Sequence, residues 1–357
     1  MKKFLALLLA LTMALALVAC GGGSDTADTG SGDTSTGDTA TGEFESMTWK
    51  FACSATETSP WVDGAKEFAR IVGEQTGGAI TVQYYPADQL TAGSQTDGIQ
   101  ALMDGTTELS MHSNLIWSSF DQRFNVVSLP FLFDSVEEAD AALDGAGGQA
   151  LGEILESEYN VHLLGIAENG FRHITNSKHA VTSLADMENL KIRVAGSQLL
   201  NRAYELWGAD YTNANWSEVF TALQTGTYDG QENPLPTADA ASIQEVQSYL
   251  TYWTGAYDCL FFCMNADLYN SLSPELQTIV DEAGQEACVY ERELNRGQDQ
   301  EIMDKWAEAG VEVTELSADA AAEFAEASAP VYDEFADELT PELIEAFTSV
   351  TQADNAA

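Results

Sequence analysis

Arginine is the most informative residue type in this sequence because it is scarce. The 357 residues carry 57 acidic and 14 basic side chains, a formal net charge of −43. Two arginines, Arg172 and Arg193, lie in the apolar β-type runs FRHIT and KIRVA. A guanidinium is costly there unless an anion satisfies it, and its planar fork of donors matches a carboxylate. The residues alone leave two explanations open, a bound carboxylate and an internal ion pair.

The other arginines on predicted helices have acidic or polar neighbours, so solvated pairing explains them. They are Arg70, Arg202, Arg292 and Arg296.

The sequence contains no motif typical of catalysis. It has no GxSxG, HExxH, CxxC, P-loop or GxGxxG pattern. His173 and His179 are six residues apart, which fits neither helical nor zinc-finger spacing. With 57 carboxylates, a glycosidase-like pair cannot be inferred from the sequence. We therefore expect no metal, no cofactor and no enzyme activity.

The acidic composition excludes several partners. A chain with so few cations lacks the basic surface that phosphate neutralisation requires, so we expect no nucleic-acid partner. The same charge repels an anionic membrane surface, so any attachment to a membrane must come from another feature.

The N-terminus provides such a feature. Lys2 and Lys3 precede an apolar run that is too short for an ordinary membrane span and typical of an export signal. Leu-Val-Ala-Cys then resembles a bacterial lipobox, which predicts a signal peptide at 1–19 and a lipid on Cys20; an ordinary cleaved signal is the alternative. Residues 20–46, rich in Gly, Ser, Thr and Asp, predict a lipid-anchored disordered linker. We expect an extracytoplasmic protein, anchored to the cell membrane at the cell surface or in the periplasm.

The remaining cysteines, Cys53, Cys259, Cys263 and Cys288, have no zinc-like spacing. An exported protein could pair them, but the apolar surroundings of Cys259 and Cys263 favour buried free thiols.

The body of the chain alternates between strand and helix patterns. MTWKFAC predicts a strand, Pro60 begins a helix, and the alternation continues through a helix at 135–157 and a strand from Val161. The pattern predicts an open α/β sheet covered by helices, followed by a second similar unit. A helical pattern from Pro274 to about Ala309 is longer than one small domain, so we expect it to cross both domains, with a bend possible at Gly284 or Gly297.

Five stretches of the chain carry a resemblance to a known family. They are YYPADQL, VVSLPFLF, LADMENLKIRV, NWSEVFTALQTGTYDGQENP and LSPELQTIV, in family order. By these stretches, the chain from about residue 47 to 350 resembles the DctP-type substrate-binding proteins of tripartite ATP-independent periplasmic (TRAP) transporters.

The resemblance implies a two-domain periplasmic-binding-protein-like (Venus flytrap) fold of the α/β class, with a cleft that closes on an organic acid. It implies domain I at 47–169 plus 260–298, domain II at 170–259 plus 299–350, and a tail at 351–357. It also implies TRAP integral membrane subunits as partners.

The resemblance further implies roles for individual residues. Arg193 of the KIRV strand would pair with the substrate carboxylate, Arg172 and Asn233 would assist it, and Trp216 would wall the cleft. Gly196 stands where sialic-acid binders of the family tend to carry asparagine, which disfavours that substrate. Position alone suggests contributions from the other domain by Ser54, Gln95, Ser113 and Asn114.

These expectations describe capture rather than chemistry. The substrate stays open among C4-dicarboxylates, hexuronates and other sugar acids, 2-oxo acids and sulfonates. A binding lipoprotein for an ATP-driven importer or a sensor is the alternative function, and a secreted hydrolase is a third.

Overall fold

The computed structural model describes residues 44–354. The predicted signal peptide, Cys20 and nearly all of the predicted linker lie outside the described residues, as do 355–357.

Eleven strands are formed within this part of the chain. They are β1 (Met47–Cys53), β2 (Ile80–Tyr85), β3 (Leu109–Ser113), β4 (Val161–Phe171), β5 (His173–Asn176), β6 (Lys191–Val194), β7 (Asp210–Asn213), β8 (Gly230–Asn233), β9 (Tyr249–Tyr252), β10 (Tyr257–Asn265) and β11 (Glu312–Glu315).

Helices lie between most of the strands. The α-helices are α1 (Pro60–Gln75), α2 (Gln95–Met103), α3 (Asn114–Trp117), α4 (Val136–Leu143), α5 (Ala146–Glu158), α6 (Gln198–Leu206), α7 (Trp216–Gln224), α8 (Leu235–Ala240), α9 (Ala266–Ser271), α10 (Pro274–Arg296), α11 (Asp299–Glu308), α12 (Ala318–Ser328), α13 (Pro330–Glu334), α14 (Ala336–Leu339) and α15 (Pro341–Asp354). Short 3-10 helices lie at Gln89–Thr91, Gln122–Ser128, Leu184–Met187 and Ile243–Glu245.

The strands form two sheets, as the repeated alternation predicts. The first has the order β2-β1-β3-β10-β4 and the second the order β11-β9-β5-β8-β6-β7. In the first sheet, β1 is parallel to β2 and β3, and β10 is antiparallel to β3 and β4. In the second, β6 is parallel to both β7 and β8. The chain passes between the sheets at Arg172, which separates β4 from β5, and again between β9 and β10.

Aromatic side chains fill the core on both sheets. Phe262 of β10 makes edge-to-face contacts with Phe51 of β1 and Phe68 of α1, at ring-centroid distances of 5.9 and 5.1 Å. Trp207 and Trp253 meet beside the second sheet at 5.1 Å. Such pairs add directional packing to the burial of apolar area, which fixes the positions of the strands that they cover.

The long C-terminal helical pattern forms two helices rather than one. Helix α10 ends at Arg296, Gly297 and Gln298 separate it from α11, and α11 packs on α8 and β11 of the second sheet, whereas α10 packs on α1 and β4 of the first. The break therefore lies at one of the two glycines that the sequence singled out. Gly284 has a different role, because a Cβ there would lie 2.6 Å from Cβ of Leu164. It lets α10 approach β4 closely without bending.

Two other details differ from the sequence pattern. The helix predicted at 135–157 is divided into α4 and α5, because Gly145 adopts a non-helical backbone with ψ of −148°. Helix α15 packs against α4 and α5, where the ring of Phe347 meets that of Phe133 at 6.5 Å. The contact joins α15, which the sequence assigns to domain II, to elements that it assigns to domain I, and the domain boundaries stay predictions.

The four cysteines of the body, Cys53, Cys259, Cys263 and Cys288, are buried free thiols, as predicted. Burial raises the pKa of Cys53 far above its usual range. Within residues 44–354, no group of His, Cys, Asp or Glu side chains could hold a metal ion. Among these residues there is also no helix with the length and apolar character of a membrane span.

Candidate ligand-binding cavity

A cavity lies between the two sheets. Its lining includes all of the predicted ligand-binding residues except Gly196 and Asn114. Those that line it are Ser54, Gln95, Ser113, Arg172, Arg193, Trp216 and Asn233.

Arg193 is a buried guanidinium whose charge has no carboxylate partner. It lies in β6, which is held between β7 and β8, and only 2% of its surface is exposed. Its Nε and Nη2 donate to the carbonyl of Ala214 at 3.0 and 2.6 Å, and its Cζ lies 5.7 Å from the ring centroid of Trp216. No described residue forms a salt bridge with it. Burial lowers the pKa of Arg193 to about 10, although the Glu232 carboxylate acts in the opposite direction.

Arg172, in contrast, is the centre of an internal ion-pair cluster. Its guanidinium pairs with the carboxylates of Glu232 and Asp258 and also donates to the Glu232 carbonyl at 2.9 Å and to Asn233 Oδ1 at 3.0 Å. Burial by itself lowers the pKa of Arg172, but the two carboxylates raise it above its usual value. The internal ion pair that the sequence left open for Arg172 is therefore formed, on a side chain that also lines the cavity.

Asp258 is a cavity residue that the sequence reasoning missed. It lies in β10 and accepts hydrogen bonds from Ser113 Oγ at 2.7 Å and Asn169 Nδ2 at 2.6 Å, in addition to its pair with Arg172. Burial raises the pKa of its carboxyl, and Arg172 opposes that effect. The signal was available, because Asp258 is an acidic residue in the otherwise apolar run YDCLFFCM.

Glu232 does not line the cavity, but it holds Arg172 there, and the sequence did not single it out although it stands next to Asn233. Its Oε1 accepts a hydrogen bond from the backbone of Ala195 at 2.8 Å, so it connects β8 with the end of β6 as well as holding Arg172. Asn169, Thr237 and Trp61 also line the cavity without having been predicted there. The Trp61 indole N–H is buried and has no hydrogen-bond partner among the described residues.

Ser54, in the loop after β1, and Gln95, at the start of α2, contribute from the side of the first sheet. The Ser54 hydroxyl donates to Asp88 Oδ1 at 3.3 Å, and the same oxygen lies 3.4 Å from Nε2 of His112. Gln95 begins α2, and its Oε1 accepts from the backbone of Trp216 at 3.2 Å. The contact between Gln95 and Trp216 joins the two sides of the cavity, as does a 3.1 Å hydrogen bond from Ser217 Oγ to the carbonyl of Gly93.

Asn114 and Gly196 lie outside the cavity lining. The Asn114 amide donates to the Phe124 carbonyl and Ser128 Oγ, both at 3.0 Å, and its oxygen accepts from the backbone of Cys259. Its polar groups therefore connect β10 with the 3-10 helix at Gln122–Ser128. The carbonyl of Gly196 accepts from Ser119 Oγ at 3.2 Å, and Ala195 beside it reaches the cavity instead.

The sequence comparison now identifies the class of protein. A family model described as bacterial extracellular solute-binding protein, family 7 (DctP), matches residues 51–339. The chain belongs to this family. It is 33% identical over 264 residues to the 2,3-diketo-L-gulonate-binding periplasmic protein YiaO of Escherichia coli. The aligned residues cover 74% of this chain and 80% of that relative.

Solved structures agree with the family. The sugar acid binding protein DctPAm of Advenella mimigardefordensis, in complex with galactonate, superposes with a TM-score of 0.83 at 28% identity, covering 87% of this chain and 99% of that one. A TRAP periplasmic solute binding protein of Sulfitobacter, with bound β-D-galacturonate, has a TM-score of 0.80 at 32% identity, covering 84% and 99%. The two-domain Venus flytrap fold and the membership of a solute-binding family rather than an enzyme family are thus confirmed. This protein is a TRAP-type solute-binding protein.

Proposed function

We propose that this protein captures an organic acid by its carboxylate at Arg193 and delivers the closed complex to TRAP integral membrane subunits that use an ion gradient. The observation that carries the proposal is the buried charge of Arg193, which no described carboxylate neutralises. A buried cation without a partner is costly, and a ligand carboxylate would offset that cost when it enters the cavity.

The N–H donors that the two cavity arginines leave free support Arg193 as the main anchor of the ligand. A guanidinium has five N–H groups. Arg193 directs only Nε and Nη2 to Ala214, so its Nη1 keeps both hydrogens for a ligand. Arg172 uses Nε, Nη2 and one hydrogen of Nη1 on described partners. It keeps one N–H, and Asn233, whose Nδ2 donates once to Gln231 Oε1, keeps another. Arg193 is thus the main anchor, with Arg172 and Asn233 as auxiliaries.

Closure of the cleft would complete the site. Gln95 with Trp216, and Gly93 with Ser217, are hydrogen-bonded pairs that require the two sides to be close together. Hinge closure of this kind excludes water around the ligand, and loss of water strengthens each charge-assisted bond.

The test is thermal unfolding of the full chain, purified in detergent, against a panel of organic acids and a matched panel of neutral sugars, amines and peptides. A ligand present at one hundred times its dissociation constant stabilises the folded state by about 2.7 kcal/mol, which is several degrees for a protein of this size. Stabilisation by an organic acid supports the proposal. Stabilisation only by neutral sugars, amines or peptides would overturn it.

Membership of the family supports delivery of the ligand to TRAP subunits. The alternative partners are an ATP-driven importer or a sensor. The discriminating experiment is uptake of the identified acid by cells that carry the protein. Uptake that stops when an ionophore dissipates the ion gradient, while cellular ATP is maintained, supports a TRAP partner. Uptake that follows ATP instead would assign the protein to another transporter.

Attachment through a lipid on Cys20 is the proposed localisation device. It is supported by the order of Lys2, Lys3, an apolar run and Leu-Val-Ala-Cys in the sequence. We expect the Cys20→Ala variant to leave the membrane fraction, and mass spectrometry of the wild-type N-terminus to show a lipid on the cysteine. An unmodified N-terminus on any other residue would contradict the anchor.

A further inference from the structure

The two sides of the cavity differ in the hydrogen-bonding groups that they offer. The side formed by the second sheet provides Arg193, a donor with three uncommitted N–H groups within the described structure. The side formed by the first sheet provides serine hydroxyls and a carboxylate, which are Ser54, Ser113 and Asp258. Whether a serine hydroxyl can donate a hydrogen bond to a ligand, or can only accept one, depends on where its hydrogen points.

The Ser54 hydroxyl has already committed its hydrogen. It donates to Asp88 Oδ1, a residue that is itself buried beside the imidazole of His112. A hydroxyl has one hydrogen and two lone pairs, so Ser54 presents oxygen lone pairs to the cavity. It is suited to receive a hydrogen bond from a ligand hydroxyl and not to donate one to a ligand carboxylate.

Ser113 and Asp258 follow the same pattern. Ser113 donates to Asp258 Oδ1 at 2.7 Å and accepts from the backbone of Leu115 at 3.1 Å. Asp258 is an acceptor only, and it faces the cavity with a negative charge that Arg172 holds in place. A ligand hydroxyl can donate to this wall, whereas a ligand carboxylate has no hydrogen to give.

The charges give an independent argument. Among the described residues that line the cavity, the cations are Arg172 and Arg193. Arg172 is already shared by the carboxylates of Glu232 and Asp258, so one cation, Arg193, is left for a ligand. One ligand carboxylate is matched by Arg193. A second one would lie in a closed cavity with no cation left for it and with Asp258 nearby, which is unfavourable at low dielectric.

The first-sheet side of the cavity also offers uncharged hydrogen-bond donors, which suit the hydroxyl oxygens of a ligand. The indole N–H of Trp61 is buried without a partner among the described residues, and Gln95 uses its Oε1 on Trp216 but no described residue takes up its Nε2. Together with the acceptors, they can satisfy both the hydrogen and the lone pairs of hydroxyl groups along a ligand chain.

We infer that the substrate is a polyhydroxylated monocarboxylate, a sugar acid of the aldonate or uronate type, and that the first-sheet wall selects against dicarboxylates. The inference rests on the proposed function, since it takes capture of a carboxylate by Arg193 as given. It adds that Ser54 and Asp258 set the class of acid.

The test uses series of ligands in which one end changes at each step. Galactitol, galactonate and galactarate share the hydroxyls on C2 to C5 and carry zero, one and two carboxylates in place of terminal hydroxymethyl groups, and glucitol, gluconate and glucarate repeat the series in another configuration. Glucuronate, galacturonate, succinate and malate complete the panel. Affinities are measured by calorimetric titration of the full chain. We expect an aldonate or uronate to bind at least about tenfold more tightly than its matched dicarboxylate, and the polyols to show no binding.

A pair of serine variants tests whether Ser54 contributes to binding of the hydroxylated acid. Ser54→Ala removes the hydroxyl of a residue that lines the cavity. Ser110→Ala removes a buried hydroxyl from β3 that has no described hydrogen-bond partner, and Ser110 does not line the cavity. We expect Ser54→Ala to weaken binding of the hydroxylated acid about three- to tenfold, the loss of one ordinary hydrogen bond, and Ser110→Ala to leave it within about twofold of wild type.

The outcomes distinguish a wrong class of acid from a wrong proposal of carboxylate capture by Arg193. Dicarboxylates that bind as tightly as the aldonates and uronates would overturn the inference and leave capture by Arg193 intact. A panel in which aldonates and uronates have no effect would also overturn it. Binding of the neutral polyols with affinities equal to those of the acids would overturn the proposed function itself.

Discussion

At the scale of single residues, the two cavity arginines illustrate how one residue type performs two tasks. Arg172 is neutralised within the protein by Glu232 and Asp258, whereas Arg193 is buried with carbonyl and aromatic partners only. The first is a structural cation that positions β8 and β10 around the cavity. The second retains the unmet electrostatic demand that a ligand can satisfy.

This difference predicts unequal costs for two similar substitutions. Glu232→Gln removes a buried carboxylate from Arg172 and should destabilise the protein by about 3–5 kcal/mol, because it leaves a buried charge under-compensated. Glu334→Gln is the matched control, since Glu334 also pairs with an arginine, Arg202, through both carboxylate oxygens but on the surface. That change should cost much less, because ion pairs on the surface contribute little to stability. Denaturant unfolding of both variants measures the two costs, and equal costs would contradict the structural role of Glu232.

At the residue scale, a local rule was sufficient to select some of the residues that line the cavity. A guanidinium in an apolar strand needs an anion, and this rule selected Arg172 and Arg193, both of which line the cavity. It could not say which anion, because Glu232 is 60 residues from Arg172 in the chain. Applied to carboxylates, the same rule would have selected Asp258. Asn114 was chosen by position alone, and its side chain turns to the backbone of Phe124 instead.

At the scale of secondary-structure elements, α10 packs closely on β4, the edge strand of the first sheet. Gly284 makes this approach possible, and the helix continues through it without a break. The interruption comes at Gly297, where α11 takes over the packing on the second sheet. The two glycines thus act differently although both lie in one helical pattern.

This difference predicts opposite effects of the same substitution. Gly284→Ala places a Cβ 2.6 Å from Cβ of Leu164 and should cost about 1–3 kcal/mol through overpacking. Gly297→Ala is the control, because its backbone is right-handed, with φ of −70°, and the nearest atom to a new Cβ is 3.5 Å away. It should be neutral or stabilising by up to about 1 kcal/mol. Thermal unfolding of the two variants decides, and an equal loss in both would show that Gly284 is not a packing residue.

The alternation of strands and helices predicted most elements because it depends on local periodicity. β1 at Met47–Cys53 has the predicted bounds. The division of 135–157 at Gly145 and the packing of α15 on α4 and α5 were not predictable in this way. A glycine is tolerated within many helices, and the partner of a terminal helix is determined by tertiary contacts rather than by its own pattern.

At the scale of the whole molecule, the net charge of −43 opposes the approach of an anionic ligand. Screening limits this opposition, because the Debye length is about 8 Å at physiological ionic strength and about 30 Å at 0.01 M salt. Inside the cavity, the field of Arg193 acts over a few ångströms and is little affected by salt. Under the proposed function, encounter with the ligand and its capture therefore depend on different charges.

We expect the association rate of an anionic ligand to rise severalfold between about 0.01 M and 0.15 M salt, while the dissociation rate changes little. Stopped-flow tryptophan fluorescence can follow both rates, since Trp61 and Trp216 line the cavity. A step that does not depend on salt, such as cleft closure, would appear as a kinetic phase whose rate is the same at both salt concentrations. An association rate that falls as salt is added would contradict the prediction and show that local attraction extends beyond the cavity mouth.

The most direct measurement is calorimetric titration of the acid that most stabilises the full chain into wild-type protein, Arg193→Met and the surface control Arg202→Met. Loss of charge-assisted bonds of about 1.5–3 kcal/mol should weaken binding to Arg193→Met by at least about tenfold, and Arg202→Met should bind as wild type does. Thermal unfolding of the ligand-free variants shows that they are folded, and Arg193→Met should lose no stability because it removes an unpaired buried charge. Wild-type affinity in a folded Arg193→Met variant would contradict carboxylate capture by Arg193.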